Sequence, residues 1–278
     1  IDAMLIGHSH QTFPNATSTM PQFNLPNVDK AKGLVHGVPT VMANFWGKTL
    51  GVIQMSLVAK DGKWAVDKTK TVVEARSIQN ADKSFIEPLA SVAKSIEAEH
   101  QATITYVRTP IGSSDFPMTS YFADVGDVSA LQIVNQAQTD YVSNYVKANL
   151  PQLASLPVLS TASPFKTGFA GGADFTDVKA GNIAINNAAD LYLFPNTLYA
   201  VKVTGAGLKD WLEAAARRFR QIDPALASEQ SLTSTAPGYT FDMITNLDVR
   251  YEIDVTQPNG SRIKNLTYKG APISSTAE

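Results

Sequence analysis

Cysteine is absent from the 278 residues. No disulfide can form and no thiolate can bind a metal, which leaves His, Asp, Glu and Asn as possible ligands. Histidine is scarce, at four positions. No apolar run is long enough to cross a bilayer as a helix, and the first residues carry no basic-then-apolar leader pattern. A surplus of one charge is also missing. With 23 basic against 25 acidic residues the net charge is −2, which excludes a broad cationic surface for a nucleic-acid polymer or an anionic membrane. What remains is ordinary globular composition, 44% hydrophobic and 17% charged, at a length comfortable for two domains.

The most informative local feature is Gly7-His8-Ser9-His10, directly after the apolar run Ala3-Met4-Leu5-Ile6. A short apolar run reads as a buried strand, and two imidazoles just past its end would sit at the sheet edge, where metal and substrate sites of α/β proteins lie. His at i and i+2 can each hold one metal of a binuclear pair once Gly lets the backbone turn. Such a pair clamps a phosphoryl oxygen and generates a hydroxide nucleophile. By pattern alone, two solvated loop histidines fit equally well.

Residues 11–35, rich in Asn, Pro, Thr and Gly, read as a long loop. Strand-like runs follow at 38–42, 50–58 and 63–74. From Asp82 to His100 the period is helical, with Phe85, Leu89, Val92, Ala93 and Ile96 on one stripe, Lys94, Glu97 and Glu99 on the polar side, and Pro88 near the first turn. A strand is expected over 103–111. A helix capped by Asp127 then carries Leu131, Val134, Ala137, Tyr141 and Tyr145 inward. A strand at Leu198–Val203 leads through Thr204-Gly205 into a helix of about 208–219. Clean alternation at Val249, Tyr251, Ile253 and Val255, the turn Pro258-Asn259-Gly260 and the run Ile263–Tyr268 predict a terminal hairpin.

Two sets of blocks carry a family resemblance. Asp2 through Pro14, Gly37-Val38-Pro39-Thr40-Val41-Met42 and Trp46-Gly47-Lys48-Thr49-Leu50-Gly51 resemble the end of a calcineurin-like metallophosphoesterase domain. Thr109-Pro110-Ile111-Gly112, Gln132 through Gln138, Ser163-Pro164-Phe165-Lys166 and Asn187 through Thr197 look like the 5'-nucleotidase C-terminal domain. Within that superfamily they are most similar to the bacterial periplasmic bifunctional 2',3'-cyclic-nucleotide 2'-phosphodiesterase/3'-nucleotidase branch. The resemblance implies an α/β and α+β chain: the C-terminal edge of a metallophosphoesterase β-sandwich over 1–79, a linker helix over 80–101, and a mixed α/β 5'-nucleotidase C-terminal domain, incomplete, over 102–278. It further implies a piece cut at both ends, because the family's earlier metal ligands and its signal segment would lie upstream.

The same resemblance implies a nucleotide phosphohydrolase with two divalent metal ions (Mn, Co, Zn or Mg), for which His8 and His10 supply the last two ligands. The expected partners are 2',3'-cyclic and 3'-nucleotides, with neither nucleic-acid polymer nor membrane, for a periplasmic monomer. In the family an aromatic at the position of Phe194 forms one face of a nucleobase slot, and stacking suits that task because every base has a π-face. By pattern alone Phe194 also fits a core position after Leu191 and Leu193. Asn196 belongs to the same segment, and the second aromatic of the slot would follow residue 278. Phe165-Lys166 stands where 5'-nucleotidases carry Asn-Gly-Gly-Ile-Arg, a departure that favours the 3'-nucleotidase branch. Lys166 offers phosphate a point charge without the Arg fork, or is a surface lysine.

His36 and His100 match no ligand position, and Arg217, Arg218 and Arg220 read as structural charges at a helix end. Gly171-Gly172 reads as a flexible loop. With two ligands of a binuclear site, these residues alone are expected to show little catalysis. The alternative is a non-catalytic nucleotide- or partner-binding module with a vestigial metal corner.

Overall fold

The structure, a computed structural model, describes residues 1–168, 174–245 and 248–277; Gly171-Gly172 lies outside them. The chain divides into two compact units, Ile1–Glu97 and Ala98–Glu278, with both helices and strands.

In the first unit the strands are β1 (Met4–Ile6), β2 (Thr12–Phe13), β3 (Val28–Asp29), β4 (Leu34–Val35), β5 (Val38–Ala43), β6 (Thr49–Gln54), β7 (Leu57–Lys60), β8 (Lys63–Val66) and β9 (Val72–Ser77). β5 is the centre. It pairs in parallel with β1, Met4 facing Thr40, and antiparallel with β2 and β4. Its Pro39, Thr40, Val41 and Met42 are all buried, as a strand covered on both faces requires. β6 and β9 form an antiparallel ladder from Thr49–Ser77 to Gln54–Val72, and β7 and β8 a hairpin.

Several expectations are corrected here. β1 is not buried: among the described residues its one hydrogen-bonded neighbour is β5, and Leu5 is 80% exposed. The stretch 11–35 is not a bare loop. Phe13 and Phe23 pack at 5.1 Å between centroids and form a small core with Met42, backed by Met20, Val28 and Val35, so apolar residues sparse in sequence converge only after the chain turns. The expected helix over 82–100 begins late and is broken: α1 covers Ala90–Ser95 and α2 Glu97–Val107. Pro88 disfavours helical geometry at Glu87, which delays the start. The apolar stripe through Phe85, Leu89, Val92 and Ile96 is exposed. The β-branched residues Thr103, Ile104 and Thr105 are helical, and His100 lies inside α2 rather than at a helix end. The strand comes afterwards.

The second unit holds β10 (Pro110–Ser114), β11 (Met118–Thr119), α3 (Ser129–Asn149), β12 (Thr161–Ala162), β13 (Asp177–Val178), β14 (Gly181–Ala184), α4 (Ile185–Leu191), α5 (Gly205–Ala215), β15 (Met243–Ile244), β16 (Val249–Ile253), β17 (Ile263–Tyr268) and β18 (Ala271–Pro272). The antiparallel pairs are β10 with β14, β11 with β13, β12 with β15, and β16-β17-β18 in order. Val249 faces Tyr268 and Ile253 faces Ile263, so the predicted terminal hairpin is present.

α5 is amphipathic and lies between two apolar clusters. Ala215 joins Ala123, Val128, Leu131, Ala162, Phe219, Phe241 and Met243 in one; Leu208, Leu212 and Ala216 join Ile244, Val249 and Ile263 in the other. Each large side chain buried there contributes about 1.5–3 kcal/mol. Thr204 caps α5, its Oγ1 accepting from Gly207 N at 3.2 Å. α5 stops at Ala215, and a 3-10 turn carries Ala216–Arg218. Trp211 is partly exposed and donates through Nε1 to Asp242 Oδ2 at 2.8 Å.

Two further expectations fail. α3 is flanked by Val128 rather than capped by Asp127, whose carboxylate instead accepts from Gln132 Nε2 at 2.9 Å; Tyr141 and Tyr145 on it are exposed. Leu198–Val203 forms no strand. An alternating segment becomes a strand only when it joins a ladder with another backbone, and it belongs to no sheet among the described residues.

Candidate nucleobase platform and metal corner

In the first unit the Gly7 turn carries His8 and His10 at left-handed φ of 72° and 57°. Both imidazoles are exposed. His10 stacks on Phe45 at 4.8 Å and 25°, and Lys48 Nζ lies 3.9 Å from the centroid of that same ring. Between the two histidines, Ser9 Oγ donates to Met42 Sδ at 3.2 Å. Among the described residues no group of three or more His, Asp or Glu side chains is placed to hold a metal. Two imidazoles are a corner of a metal site; they do not make the site. His36, with φ of 48°, lies in the turn between β4 and β5.

In the second unit the other four candidates come together, although Phe165-Lys166 and Phe194-Asn196 are far apart in sequence. The Phe165 ring meets the Phe194 ring at 5.2 Å and 76°, and the Tyr192 ring at 5.1 Å and 88°. Both are edge-to-face contacts, the arrangement that the quadrupole of an aromatic ring favours. Phe194 is 46% exposed, so it is not the core residue its neighbours Leu191 and Leu193 allowed. Asn196 Nδ2 donates to the Tyr192 hydroxyl at 3.2 Å, and Asn196 N to Phe194 O at 2.8 Å. Lys166 Nζ pairs with the Asp190 carboxylate.

Buried hydroxyls tie this cluster together. Ser120 Oγ donates to Lys166 O at 2.6 Å and accepts from Thr176 N at 2.9 Å, while Thr176 Oγ1 donates to Asp190 O at 2.9 Å. One hydroxyl thus bridges the Phe165-Lys166 loop to the strand that in turn holds the end of α4. Further along the same loop, Ser163 Oγ donates to Asp242, the partner of Trp211. Beside the cluster, Tyr121 donates to Asp177 Oδ2 at 2.8 Å and Lys179 Nζ reaches the same oxygen at 2.6 Å. The Lys179 bond, then the Tyr121 bond, holds the Asp177 carboxyl below its usual range. Asp177 in return raises Lys179 and Tyr121.

Sequence reasoning missed Asp190, Tyr192, Ser120 and Thr176. A signal for the first two was present: Asp190 and Tyr192 stand in the same block, Asn187 through Thr197, as Phe194 and Asn196. Nothing marked Ser120 or Thr176, whose role depends on two strands meeting. An apolar groove of about 920 Å³ starts at Tyr192 and Asn196 and runs past Leu198, Val201 and Leu208. The arginines read as structural bear that out where they are buried: Arg218 meets Asp124 at 3.0 Å and donates to the carbonyls of Ser234 and Ala236.

The sequence profile of the 5'-nucleotidase, C-terminal domain, matches residues 110–278. The chain is 40% identical over 291 residues to the 2',3'-cyclic-nucleotide 2'-phosphodiesterase/3'-nucleotidase of Yersinia enterocolitica, covering 98% of this chain and 43% of that protein. It is likewise 40% identical over 293 residues to the trifunctional nucleotide phosphoesterase protein YfkN of Bacillus subtilis (strain 168), covering 100% of this chain and 19% of that one. The chain therefore spans less than half the length of these curated relatives. A solved structure described as a 5'-nucleotidase from Staphylococcus aureus superposes with a TM-score of 0.62 over 99% of this chain and 44% of its own, at 16% identity, which shows a shared fold. By its match over more than half its length, this chain belongs to the 5'-nucleotidase C-terminal domain family.

Proposed function

We propose that this chain is the nucleoside-binding part of a nucleotide phosphohydrolase that opens 2',3'-cyclic nucleotides to 3'-nucleotides and then releases nucleoside and phosphate. The observation that carries the reading is the half-exposed Phe194 ring, backed edge-on by Phe165. A core aromatic would be covered, and a stray surface ring would lack such backing. A half-exposed ring held in place by a neighbouring ring can serve as a stacking platform for a nucleobase. The names of the relatives from Y. enterocolitica and B. subtilis support the substrate class.

His8 and His10 stand where the metallophosphoesterase resemblance puts the closing ligands of a two-metal site, and neutral imidazole suits Mn, Co or Zn. When bound, such a pair of metals would supply the hydroxide that attacks phosphorus. The donors among the described residues do not complete that site, and the contribution we assign to this chain is to hold the nucleoside. The resemblance to a periplasmic branch supports a periplasmic monomer. No helix among the described residues is long and apolar enough to cross a membrane.

The test is titration calorimetry of adenosine into the 278-residue chain and its Phe194→Ala variant. Base stacking is worth about 1–3 kcal/mol, so the variant should bind at least about fivefold more weakly. Equal affinity would remove the platform reading. A second reading, a binding module without turnover, is favoured by the two-donor metal corner. Phosphate release from 2',3'-cyclic AMP by the chain, lost on His8→Ala, would exclude it.

A further inference from the structure

Lys166 was the residue of this site offered to phosphate, yet its ammonium is already taken. Asp190 holds it in an ion pair whose side chains are only 22% and 29% exposed. An ammonium and a carboxylate in contact present almost no net charge to a third ion, because their fields cancel beyond a few ångströms. A phosphate approaching Lys166 would also approach the Asp190 carboxylate and be repelled by it. Turning Lys166 toward the phosphate would leave that carboxylate partly enclosed and unpaired, which costs more than an exposed pair is worth.

The pair has a second consequence, because of where its members sit in the chain. Lys166 directly follows Phe165, and Asp190 lies two residues before Tyr192 and four before Phe194. The ion pair and the Ser120–Thr176 hydroxyl bridge therefore span the same two segments whose rings meet edge-to-face. A ring contact at 5.2 Å and 76° is lost if one loop slides by an ångström or two. A charged bond in a partly enclosed setting is the strongest available restraint on such sliding.

We propose that Asp190 is the positioning residue of this site: it takes up the charge of Lys166, fixes Phe165 against Phe194, and makes the platform select a flat, uncharged base while leaving the phosphate unread. The proposal rests on the platform reading above and names its specificity. In the bound nucleotide the base would lie on Phe194, and the phosphate would be held by groups other than Lys166.

The experiment is calorimetric titration of adenosine and of 3'-AMP into the full chain, with circular dichroism of each variant. The wild type should bind the two ligands within about threefold of each other. Lys166→Met/Asp190→Leu, which removes both charges together, should keep that ratio. Asp190→Asn frees Lys166 and loosens Phe165; adenosine binding should fall at least about fivefold, and the ratio should move about tenfold toward 3'-AMP. A wild-type preference above tenfold for 3'-AMP that vanishes in the double variant would overturn the proposal, since Lys166 would then be a phosphate contact. So would Asp190→Asn with affinity and ratio both unchanged. Should Asp190→Asn not fold, the adenosine affinity of the double variant decides: loss of the ion pair should weaken it at least about fivefold, and an unchanged affinity would overturn the positioning role. Phe194→Ala keeps the inferences separable: if it leaves adenosine binding intact, the platform itself is wrong, whatever Asp190 does.

Discussion

Glu213 and Arg262 are both buried, and each spends its charge on backbone. The Glu213 carboxylate accepts from Arg262 N at 2.9 Å and Ile263 N at 2.8 Å, joining α5 to the start of β17. The Arg262 guanidinium donates to Ala216 O at 2.7 Å, Phe219 O at 2.8 Å and Gln257 O at 3.0 Å. A buried N–H left without a partner costs about 1–3 kcal/mol. Glu213→Leu strands two of them and should lower the unfolding free energy by about 2–5 kcal/mol in a urea titration. Glu97→Ala, on an exposed helix position, should stay within about 0.5 kcal/mol of wild type. A loss as small as this control's at position 213 would show that water reaches those amides. Lys166 is the opposite case: its pairing with Asp190 is between side chains, both of them partly exposed.

At the scale of elements, α5 is the piece around which the second unit is organised. Its first residue, Gly205, lies against the chain segment after β18: Gly205 N donates to Ala277 O and Ala206 N to Ser275 O. A Cβ on Gly205 would come within 2.0 Å of Ser274 O and 2.7 Å of Ile273 Cγ2. The nearest obstacle is backbone, which cannot swing aside as a side chain would. Gly205→Ala should therefore push residues 273–277 off the helix start at a cost of about 1–3 kcal/mol. Hydrogen exchange should report faster opening of the Gly205 and Ala206 amides, and unchanged protection there would refute the packing argument. The segment Leu198–Val203 shows the reverse situation, with strand-like alternation and no strand formed.

For the whole molecule, the balance of charge sets how stability depends on pH. Four carboxyls, Asp67, Asp82, Asp177 and Asp254, sit below their ordinary 3.8 because hydroxyls, amides and, at Asp177, Lys179 stabilise the ionised form. A depressed carboxyl contributes stability that is present above the unfolded value and lost as pH falls through the folded one. Tyr251 is raised above 10.0, chiefly by burial. Its contribution is complete below that value and lost as pH rises beyond it. Urea midpoints should be flat between about pH 5 and pH 9, fall below about pH 4, and fall again above about pH 10. Asp254→Asn should shallow the acid limb. An acid limb unchanged by that substitution would mean the Thr256 bonds to Asp254 also persist in the unfolded chain.

Periodicity and turn chemistry by themselves determined the β16–β17 hairpin, a helix near α5 expected at about 208–219 and found at Gly205–Ala215, and the apolar faces that meet in the second unit. Those signals are local, and a residue's period survives whatever packs on it. The position of Gly7-His8-Ser9-His10 after an apolar run marked it as well, whereas the segment carrying Phe194 was marked by the family resemblance, since its pattern fits a core position too. Tertiary structure alone decided the rest. Pro88 and the break at Ile96 divided one expected helix into two, and Phe13 and Phe23 turned an expected loop into a small core. The exposure of Leu5 depended on β1 having one neighbouring strand. Most of all, Phe165, Lys166, Asp190, Tyr192 and Phe194 became one cluster through a hydroxyl bridge and an ion pair between segments some 25 residues apart. A long-range contact of that kind leaves no period in the sequence, because its energy arises only when two independently formed elements meet.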